Sequence, residues 1–360
     1  MRQYRQIISV CILLIISCQT MYAETDYFIQ NIAVDILRKM CKVNSSQLPI
    51  KVSQTDAFTA MNIRDGYLTY YYSSNLQGEG LDYVMNNKKL IYDNLLAQIV
   101  SNPLIPALCI DAKIGIRYRY TFTYNRKDMD IDITNSTLTD ILPPLNQDVR
   151  NTYVKEYYTA TDAPCQISNN YFTIYQETSN DSYLTQHLDE KEMVELVMDS
   201  FLDNTPSSIT NLLCLWMGKG LCVSYVDENN VVGEGSYISY DKIEEIYLSL
   251  YPSSLNQPTL VDKSPKFLNG ETDKFSEWVN SQLIYPKEAM ENGIQGRVIL
   301  TFKIGKDGYI KDIQVIGTPD KLLANEAVRV VSGSPQWTPG EKDNQKVSVS
   351  YTFPVIFQLQ

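Results

Sequence analysis

The segment DGYLTYY at residues 65–71 predicts the fold of two thirds of the chain, because it recurs as NNYFTIY at residues 169–175. Each copy opens with residues that tolerate the positive φ of a tight turn. Each continues with aromatic and β-branched residues, which are typical of a strand. Three further matches follow downstream: Cys109 with Cys214, Gly115 with Gly220 and Tyr120 with Tyr225. Similarity at a nearly constant offset indicates an internal repeat.

Both copies predict the same order of secondary structure. A β-hairpin comes first, then a helix whose apolar residues recur every four positions, then a second β-hairpin. The helical positions are Ile91, Leu95 and Ile99 in the first copy and Val194, Met198 and Leu202 in the second. We therefore expect a helix at residues 24–48 and then two ββαββ units at 49–147 and 148–256. Each unit should be an antiparallel sheet with a helix on one face.

The pattern changes after a short linker predicted at residues 257–264. An apolar stripe within residues 275–283 predicts a helix, and alternating apolar residues at 298–304 and 347–359 predict strands. Pro354 lacks a backbone donor, so this part of the last strand should lie at a sheet edge or a bulge. Residues 265–360 are thus expected to form a small α+β domain.

Short motifs occur in a fixed order in this last stretch: YPKEA at 285–289, GIQGRV at 293–298, DG at 307–308, NEA at 325–327, PQWTPG at 335–340 and PVIF at 354–357. With these motifs, residues 265–360 resemble the TonB C-terminal domain family in its Bacteroidetes-type form. Two loops depart from the family pattern. FLNGE at 267–271 stands in place of FPGGE, and Asn344-Gln345 replaces an expected glycine before the last strand.

The resemblance implies a three-stranded sheet that binds an extended segment of another protein as an added strand. In the family, the partner is the periplasmic N-terminal stretch of a TonB-dependent outer-membrane transporter. Carried over by position, the candidate partner-binding residues are Tyr285, Pro286, Lys346, Ser348, Ser350, Thr352 and Pro354. Tyr285 and Pro286 could instead shape a turn, and the odd-numbered residues of the final strand are mostly expected in the core.

The N-terminus has the features of a secretory signal. Two arginines precede an apolar run at residues 7–17, which is shorter than the roughly 20 residues needed to cross a bilayer. We expect residues 1–23 to be removed by cleavage. Alternatively, residues 15–18 resemble a bacterial lipobox, and Cys18 would then carry a lipid. Both alternatives predict an exported protein that is periplasmic or associated with the outer membrane.

Composition and motif content argue against catalysis and against nucleic-acid binding. The net charge is −11 and no basic cluster stands out, which disfavours binding to phosphate-rich polymers. The chain has a single histidine, His187, so most acid–base and metal constellations cannot be built. Asp128, Asp130 and Asp132 alternate along a strand, where they either hold calcium or, as we expect, form a solvated face. We predict no enzyme activity, no cofactor and no metal site.

The cysteines do not form an obvious disulfide framework. Five remain beyond the signal segment, and an odd number in an exported protein argues against complete pairing. Cys109 and Cys214 lie in apolar runs, where free cysteine packs as a small hydrophobic residue. A single disulfide between Cys214 and Cys222 stays open as an alternative.

The sequence favours an exported, non-enzymatic protein whose C-terminal domain docks extended segments of envelope proteins such as TonB-dependent transporters. Two alternatives stay open. The chain could be an energy transducer of TonB-dependent transport, although the part before the domain indicates folded repeats and no proline-rich spacer. It could also be an exported ligand-binding domain that carries a TonB-like docking tag.

Overall fold

The computed structural model describes residues 27–45, 47–161, 163–177, 187–203, 206–227, 229, 231–251, 261, 263–268, 272–342 and 344–359. The predicted signal segment, Cys18 and most of the predicted linker lie outside these residues. One apolar core joins the two N-terminal sheets, and a second core belongs to the C-terminal domain. Within the described ranges, no helix combines the length and the apolar character needed to cross a membrane.

The first sheet follows helix α1 (residues 27–45). Its strands are β1 (Ile50–Lys51), β2 (Asp56–Arg64), β3 (Tyr67–Ser74), β4 (Gly115–Phe122) and β5 (Lys127–Ile133). They lie in the order β1-β2-β3-β4-β5, and every neighbouring pair is antiparallel except β3 and β4. Asp65 and Gly66, both at positive φ, form the predicted turn between β2 and β3.

Three helices connect β3 to β4 and make this pair parallel. They are α2 (Gly78–Asn86), α3 (Lys88–Ser101) and α4 (Leu104–Asp111), and α5 (Asn135–Ile141) follows the sheet. A helical connection is long enough to carry the chain back to the end of the sheet where β3 began, so β4 runs in the same direction as β3. The expectation of an antiparallel sheet is therefore wrong at the centre of the sheet.

The second sheet has the same parallel centre. After helix α6 (Gln147–Ala160) come β6 (Cys165–Ile167), β7 (Tyr171–Glu177), α7 (Glu190–Leu202), α8 (Pro206–Met217), β8 (Gly220–Val226), β9 (Ser236–Ile238) and α9 (Tyr240–Leu250). The strand order is β6-β7-β8-β9, with β7 and β8 parallel. We call residues 27–141 the first unit and residues 147–251 the second unit.

Both parallel pairs begin with the same close approach. Gly115 donates its N–H to the Gly66 carbonyl at 2.9 Å, and Gly220 donates to the Asn170 carbonyl at 2.8 Å. A Cβ on Gly115 would lie 2.7 Å from the carbonyl oxygen of Ile133, a contact too short for any side chain. At Gly220, the same atom would lie 2.5 Å from the carbonyl oxygen of Ile238. Glycine is therefore required at the first residue of both β4 and β8.

The two units meet through a partly buried polar contact beside their shared core. The Asp111 carboxylate at the end of α4 accepts a hydrogen bond from Trp216 Nε1 of α8 at 2.7 Å. Arg150 of α6 forms an ion pair with the same carboxylate at 2.9 Å. Because charged groups are rarely buried without partners, this cluster fixes how α4, α6 and α8 meet.

Details of the second unit differ from the sequence predictions. In α7 the fully buried residues include Met193, Val197 and Phe201, whereas the predicted face of Val194, Met198 and Leu202 is only partly buried. The buried face of α7 is displaced by one residue because the helix packs against α8, α9 and β9. The local spacing of apolar residues does not show these contacts. Cys214 and Cys222 are buried and free, so the alternative of a disulfide between them is wrong.

Lys39 of α1 links the first unit to the end of α7. Its ammonium group donates to the carbonyl oxygens of Phe201 at 2.9 Å and Asp203 at 2.5 Å. These carbonyls lie at the C-terminus of a helix, where a positive charge is favourable. Burial nevertheless lowers the pKa of Lys39 to about 8. Relative to the unfolded chain, the folded protein therefore disfavours the ammonium form, although this form still predominates below about pH 8.

The C-terminal domain is a three-stranded antiparallel sheet with helices on one face. Its elements are α10 (Thr272–Gln282), α11 (Lys287–Glu291), β10 (Gly296–Ile304), β11 (Ile310–Gly317), α12 (Lys321–Ser332), β12 (Gly340–Lys342), β13 (Gln345–Val347) and β14 (Val349–Phe357). The main sheet has the order β11-β10-β14, and β12 and β13 form a separate hairpin. The predicted α+β character of this domain is confirmed.

Replacing Gly115 or Gly220 by alanine should destabilise the protein by about 1–3 kcal/mol, which is the usual cost of overpacking. The added methyl group would press on a ladder carbonyl that cannot move without breaking a strand pair. Urea unfolding of the full-length protein measures the change. Gly317→Ala is the matched control, because its Cβ would come no closer than 3.5 Å to any atom. A comparable loss in the control would contradict this explanation.

The Lys39→Met variant should lose a specific pH dependence of stability. Lys39 has a pKa of about 8 in the folded protein and about 10.4 in the unfolded chain. The free-energy cost of burying its charge is therefore fully present below about pH 8 and decreases as the pH rises from 8 towards 10.4. Between pH 7 and 9.5 the free energy of unfolding of the natural protein should increase by roughly 1–2 kcal/mol relative to the variant. Urea unfolding at the two pH values measures this change, and an equal change in the free energy of unfolding for both proteins would refute the assignment.

Candidate functional site

The last strand, β14, offers the most regular unpaired edge of the C-terminal sheet. It pairs with β10 over nine consecutive residues without a register shift, from Val349 opposite Ile304 to Phe357 opposite Gly296. In the described part of the chain, no strand pairs with its other side. The opposite edge, β11, contains two register shifts and a residue at positive φ, Asp312. Such bulges make an edge a poor template for another strand.

Pro354 indicates which backbone groups face the open edge. A proline in a regular strand is tolerated only where its nitrogen points away from the paired neighbour. The amides of Ser350, Thr352 and Ile356 have the same orientation as Pro354, since strand residues alternate with a period of two. These groups therefore face outward from β14. As the sequence predicted, Pro354 lies on an edge strand.

Apolar packing on the inner face holds β14 in place. Phe353, Val355 and Phe357 are almost fully buried. The Phe353 ring lies 4.8 Å from that of Phe275 on α10, and the ring of Tyr351 stacks on Phe302 at 6.1 Å. Burying each of these large apolar side chains stabilises the folded domain by about 1.5–3 kcal/mol. The edge is therefore presented by a rigid strand.

The predicted site residues at the start of the last strand are placed differently from the prediction. Lys346 belongs to the short strand β13, where it pairs with Glu341 of β12, and Ser348 separates β13 from β14. The prediction of one continuous strand from Lys346 onward is therefore wrong. The reason is the tight β12–β13 hairpin, which contains Asn344 at positive φ. Lys346 remains exposed, outside the edge of β14.

The remaining predicted strand residues lie on the face of β14 opposite the core. Ser350 is exposed and, with Ser348, lines an open cavity of about 600 Å³. Thr352 and Pro354 are half-buried, and the Thr352 hydroxyl donates to the Leu250 carbonyl of the second unit at 2.7 Å. Three of the predicted residues, Ser350, Thr352 and Pro354, are thus brought together on β14.

Tyr285 and Pro286 lie next to the C-terminal end of β14. The Tyr285 hydroxyl donates to the Ile294 carbonyl at 2.6 Å, and its ring packs edge-on against Phe357 at 5.6 Å. Pro286 precedes the first residue of α11. Both residues shape the turn before α11, as the alternative interpretation predicted, and they border the edge as well.

Glu326 of α12 fixes the segment that leads into this turn. Its carboxylate accepts the Ile284 N–H at 2.7 Å and pairs with Arg329 at 2.6 Å. Arg329 also donates to the Gln282 carbonyl at 3.0 Å. The hydrogen bond from Arg329 holds the pKa of Glu326 below its ordinary value. This contact joins the NEA motif at 325–327 to the residue that precedes the YP motif at 285–286.

Exposed apolar residues near the same end were not predicted from the sequence. Ile356 on β14 is 57% exposed, Ile284 beside Tyr285 is 68% exposed, and Met290 on α11 is 52% exposed. Ile356 occupies an even position of the final strand, so the alternation that identified the core also placed it outside. The residues expected from the family resemblance did not include Ile356, although its position in the strand predicts that it is exposed. Apolar side chains exposed beside an open edge are suited to contact a partner.

The aspartates of β5 form ion pairs across the first sheet, and their arrangement does not support a calcium site. Asp132 pairs with Arg117 and Asp130 pairs with Arg119, in both cases at 2.7 Å. The hydrogen bond from Arg119 lowers the pKa of Asp130. Among the described residues, no group of three or more His, Cys, Asp or Glu side chains is arranged to hold a metal ion. Cross-strand ion pairs account for the alternation.

The family comparison identifies the fold around this edge. Residues 281–359 match the family described as Gram-negative bacterial TonB protein C-terminal. In TonB this domain binds TonB-dependent transporters, and family members are non-catalytic protein-interaction domains. The resemblance expected from the sequence motifs is therefore confirmed for the C-terminal domain.

Solved structures with some similarity to the chain include two TonB C-terminal domains. The solution structure from Helicobacter pylori is 24% identical, covers 24% of this chain and 90% of its own, and has a TM-score of 0.20. The solution structure from Pseudomonas aeruginosa is 29% identical, covers 22% of this chain and 79% of its own, and has a TM-score of 0.19. No curated protein matches the chain. The family assignment therefore depends on the match at residues 281–359.

Removing the Glu326 carboxylate should loosen the turn at Tyr285. Glu326→Ala leaves the Ile284 N–H without its partner, which should lower the free energy of unfolding by about 1–3 kcal/mol. Because the folded-state pKa is lowered, this stabilisation is present above the unfolded pKa of about 4.3 and disappears as the pH falls. Urea unfolding of the natural protein and of Glu326→Ala at pH 7 and pH 3.5 measures the difference in the free energy of unfolding, which should be smaller at pH 3.5. Glu291→Ala, at an exposed i,i+4 pair, is the control and should cost little.

Proposed function

We propose that this is an exported, non-enzymatic protein whose C-terminal domain docks extended segments of envelope proteins, in the first place the periplasmic N-terminal segments of TonB-dependent transporters. The observation that carries the proposal is the regular, unpaired edge of β14 within a domain that matches the TonB C-terminal family. An incoming strand would pair with β14 on the side opposite β10. Main-chain hydrogen bonds would supply part of the affinity, and side-chain contacts would supply the choice of partner.

The side chains around the edge support this mode of binding. An added strand lies about 4.8 Å from its neighbour and alternates its side chains between the two faces of the sheet. On one face it would come near Tyr285 and Phe357, and on the other it would come near Ile356. These contacts are predominantly apolar on both faces, so the proposed partner segment carries apolar residues where it passes Tyr285 and Ile356.

We also infer a duplication as the origin of the first and second units. The matched glycines, the parallel central strands and the recurring sequence segments support it. For the organisation of the chain we propose the predicted boundaries: a signal segment at 1–23, a helix at 24–48, sequence repeats at 49–147 and 148–256, a linker at 257–264 and the docking domain at 265–360. Signal cleavage places the protein in the periplasm, and lipidation of Cys18 would tether it there.

A peptide titration of the full-length protein tests the docking proposal. Synthetic peptides from the periplasmic N-termini of TonB-dependent transporters are added while amide hydrogen exchange is followed by mass spectrometry. Strand addition should slow exchange in residues 349–357 and leave residues 310–317 unchanged. Protection confined to β11, or none across a broad panel of peptides, would refute docking at β14.

Ile356→Pro should weaken this docking without unfolding the domain. The substitution removes one outward-facing donor, and a net loss of about 1 kcal/mol per hydrogen bond corresponds to a roughly fivefold higher Kd. Ile356→Ala is the matched control, because it removes the side chain and keeps the donor. Fluorescence anisotropy with a labelled peptide gives both values. Equal affinities for the two variants would show that the backbone donor plays no part.

A further inference from the structure

The outer face of the C-terminal sheet is partly covered by the N-terminal units. Ile299 on β10 is only 3% exposed, and it belongs to the core shared by the two units and not to the core of its own domain. Ile316 on β11 packs against the same core. The second face of an antiparallel sheet is commonly polar and solvated, and apolar residues on it need another layer to pack against. Here, that second layer is the rest of the chain.

Polar contacts extend this coverage to β14. Arg297 on β10, opposite Ile356, forms an ion pair with Asp199 of α7. The Thr352 hydroxyl bonds to the Leu250 carbonyl at the end of α9. Because Thr352 lies on the docking strand itself, the last turn of α9 lies within side-chain reach of the strand's outer face.

The coverage is uneven along the strand. Thr352 and Pro354 are half-buried, whereas Ile356 is 57% exposed. A strand added beside β14 would direct alternate side chains towards the outer face. Opposite Thr352 such a side chain would approach the end of α9, and helix α7 also contacts β14. The middle of the edge, at Thr352 and Pro354, is therefore less accessible than Ser350 and Ile356 near its two ends.

We propose that the second unit is an autoinhibitory brace, which restricts strand docking at β14 until its contact with the outer face of the sheet is released. This inference rests on the proposed docking function and concerns its regulation. The contact that restricts docking consists of Ile299 in the shared core, the Arg297–Asp199 ion pair and the Thr352–Leu250 hydrogen bond. Release exposes the full length of the docking strand and leaves the inner core of the domain intact, because none of these side chains belongs to that core.

The test compares Ile299→Asp with Val315→Asp in the full-length protein. Val315 is 41% exposed on the same sheet and is the matched control for the added charge. In Ile299→Asp, we expect residues 349–357 to exchange amide hydrogens about tenfold faster, because placing a charge in the apolar contact separates the brace. Residues 321–332 of α12 should keep their rates, which shows that the domain stays folded. Unchanged exchange along β14 would overturn the proposal.

A second pair of variants covers the case in which Ile299→Asp does not fold. Arg297→Glu reverses one charge of the ion pair and should raise exchange along β14 by a smaller factor of about two to five, as expected for an exposed pair. Combining it with Asp199→Arg restores opposite charges and should return the rate to its original value. Failure of the double variant to restore the rate would contradict a role for this contact.

Transporter peptides then separate this inference from the docking proposal. A released variant that binds a peptide about tenfold more tightly than the natural protein supports both ideas. Equal binding by both proteins, with faster exchange in the variant, overturns autoinhibition and leaves docking intact. Faster exchange with no binding by either protein refutes the docking function, while the shielding of β14 stands.

Discussion

Strand β10 is paired on both sides, with β11 along one edge and β14 along the other. Its backbone is therefore paired on both sides, and among the described strands the main sheet can accept another strand at the outer edges of β11 and β14. Helices cover one face of the sheet and the N-terminal units contact the other. The bulges in β11 disfavour that edge, which leaves β14 as the regular template.

The energetics of strand addition explain why the surroundings of β14 matter as much as its backbone. Each backbone hydrogen bond contributes a net of about 1 kcal/mol, whereas association costs at least about 4 kcal/mol in lost freedom. Pro354 removes one donor from the accepting edge. A short added strand therefore gains little from the backbone alone. Apolar contacts near Ile356 and Ile284, and the position of the second unit, would decide which partners bind.

The N-terminal units and the C-terminal domain have separate cores, so the contact between them can open without unfolding either part. The C-terminal domain has a core of its own, and only Ile299 and Ile316 of its sheet pack against the core of the units, so the two parts meet through a limited set of contacts. Within the units, the partly buried Asp111 carboxylate links α4 to α6 and α8, and the partly buried Lys39 ammonium group links α1 to the end of α7. The N-terminal part is therefore held together internally, while its contact with the sheet depends on Ile299, Ile316 and a few polar groups such as Arg297 and Thr352.

Much of the candidate site was predictable from local patterns. The alternation in the final strand identified its buried face, and the missing donor of Pro354 predicted an edge strand. The ordered motifs from Tyr285 onward identified the family of the C-terminal domain. The break at Ser348 was not predicted, because alternation continues through it and only the pairing of Lys346 with Glu341 reveals a separate hairpin.

Residue spacing and local backbone preferences were enough to predict the hairpin at Asp65 and Gly66 and the inner core of the C-terminal domain, but they predicted one helix where three connect β3 to β4. The parallel pairing of β3 and β4, the buried stripe of α7 and the contact of Ile299 with a distant unit follow only from the folded arrangement. Each of these depends on contacts between residues far apart in the chain, and no local spacing records which distant surface an apolar side chain will meet.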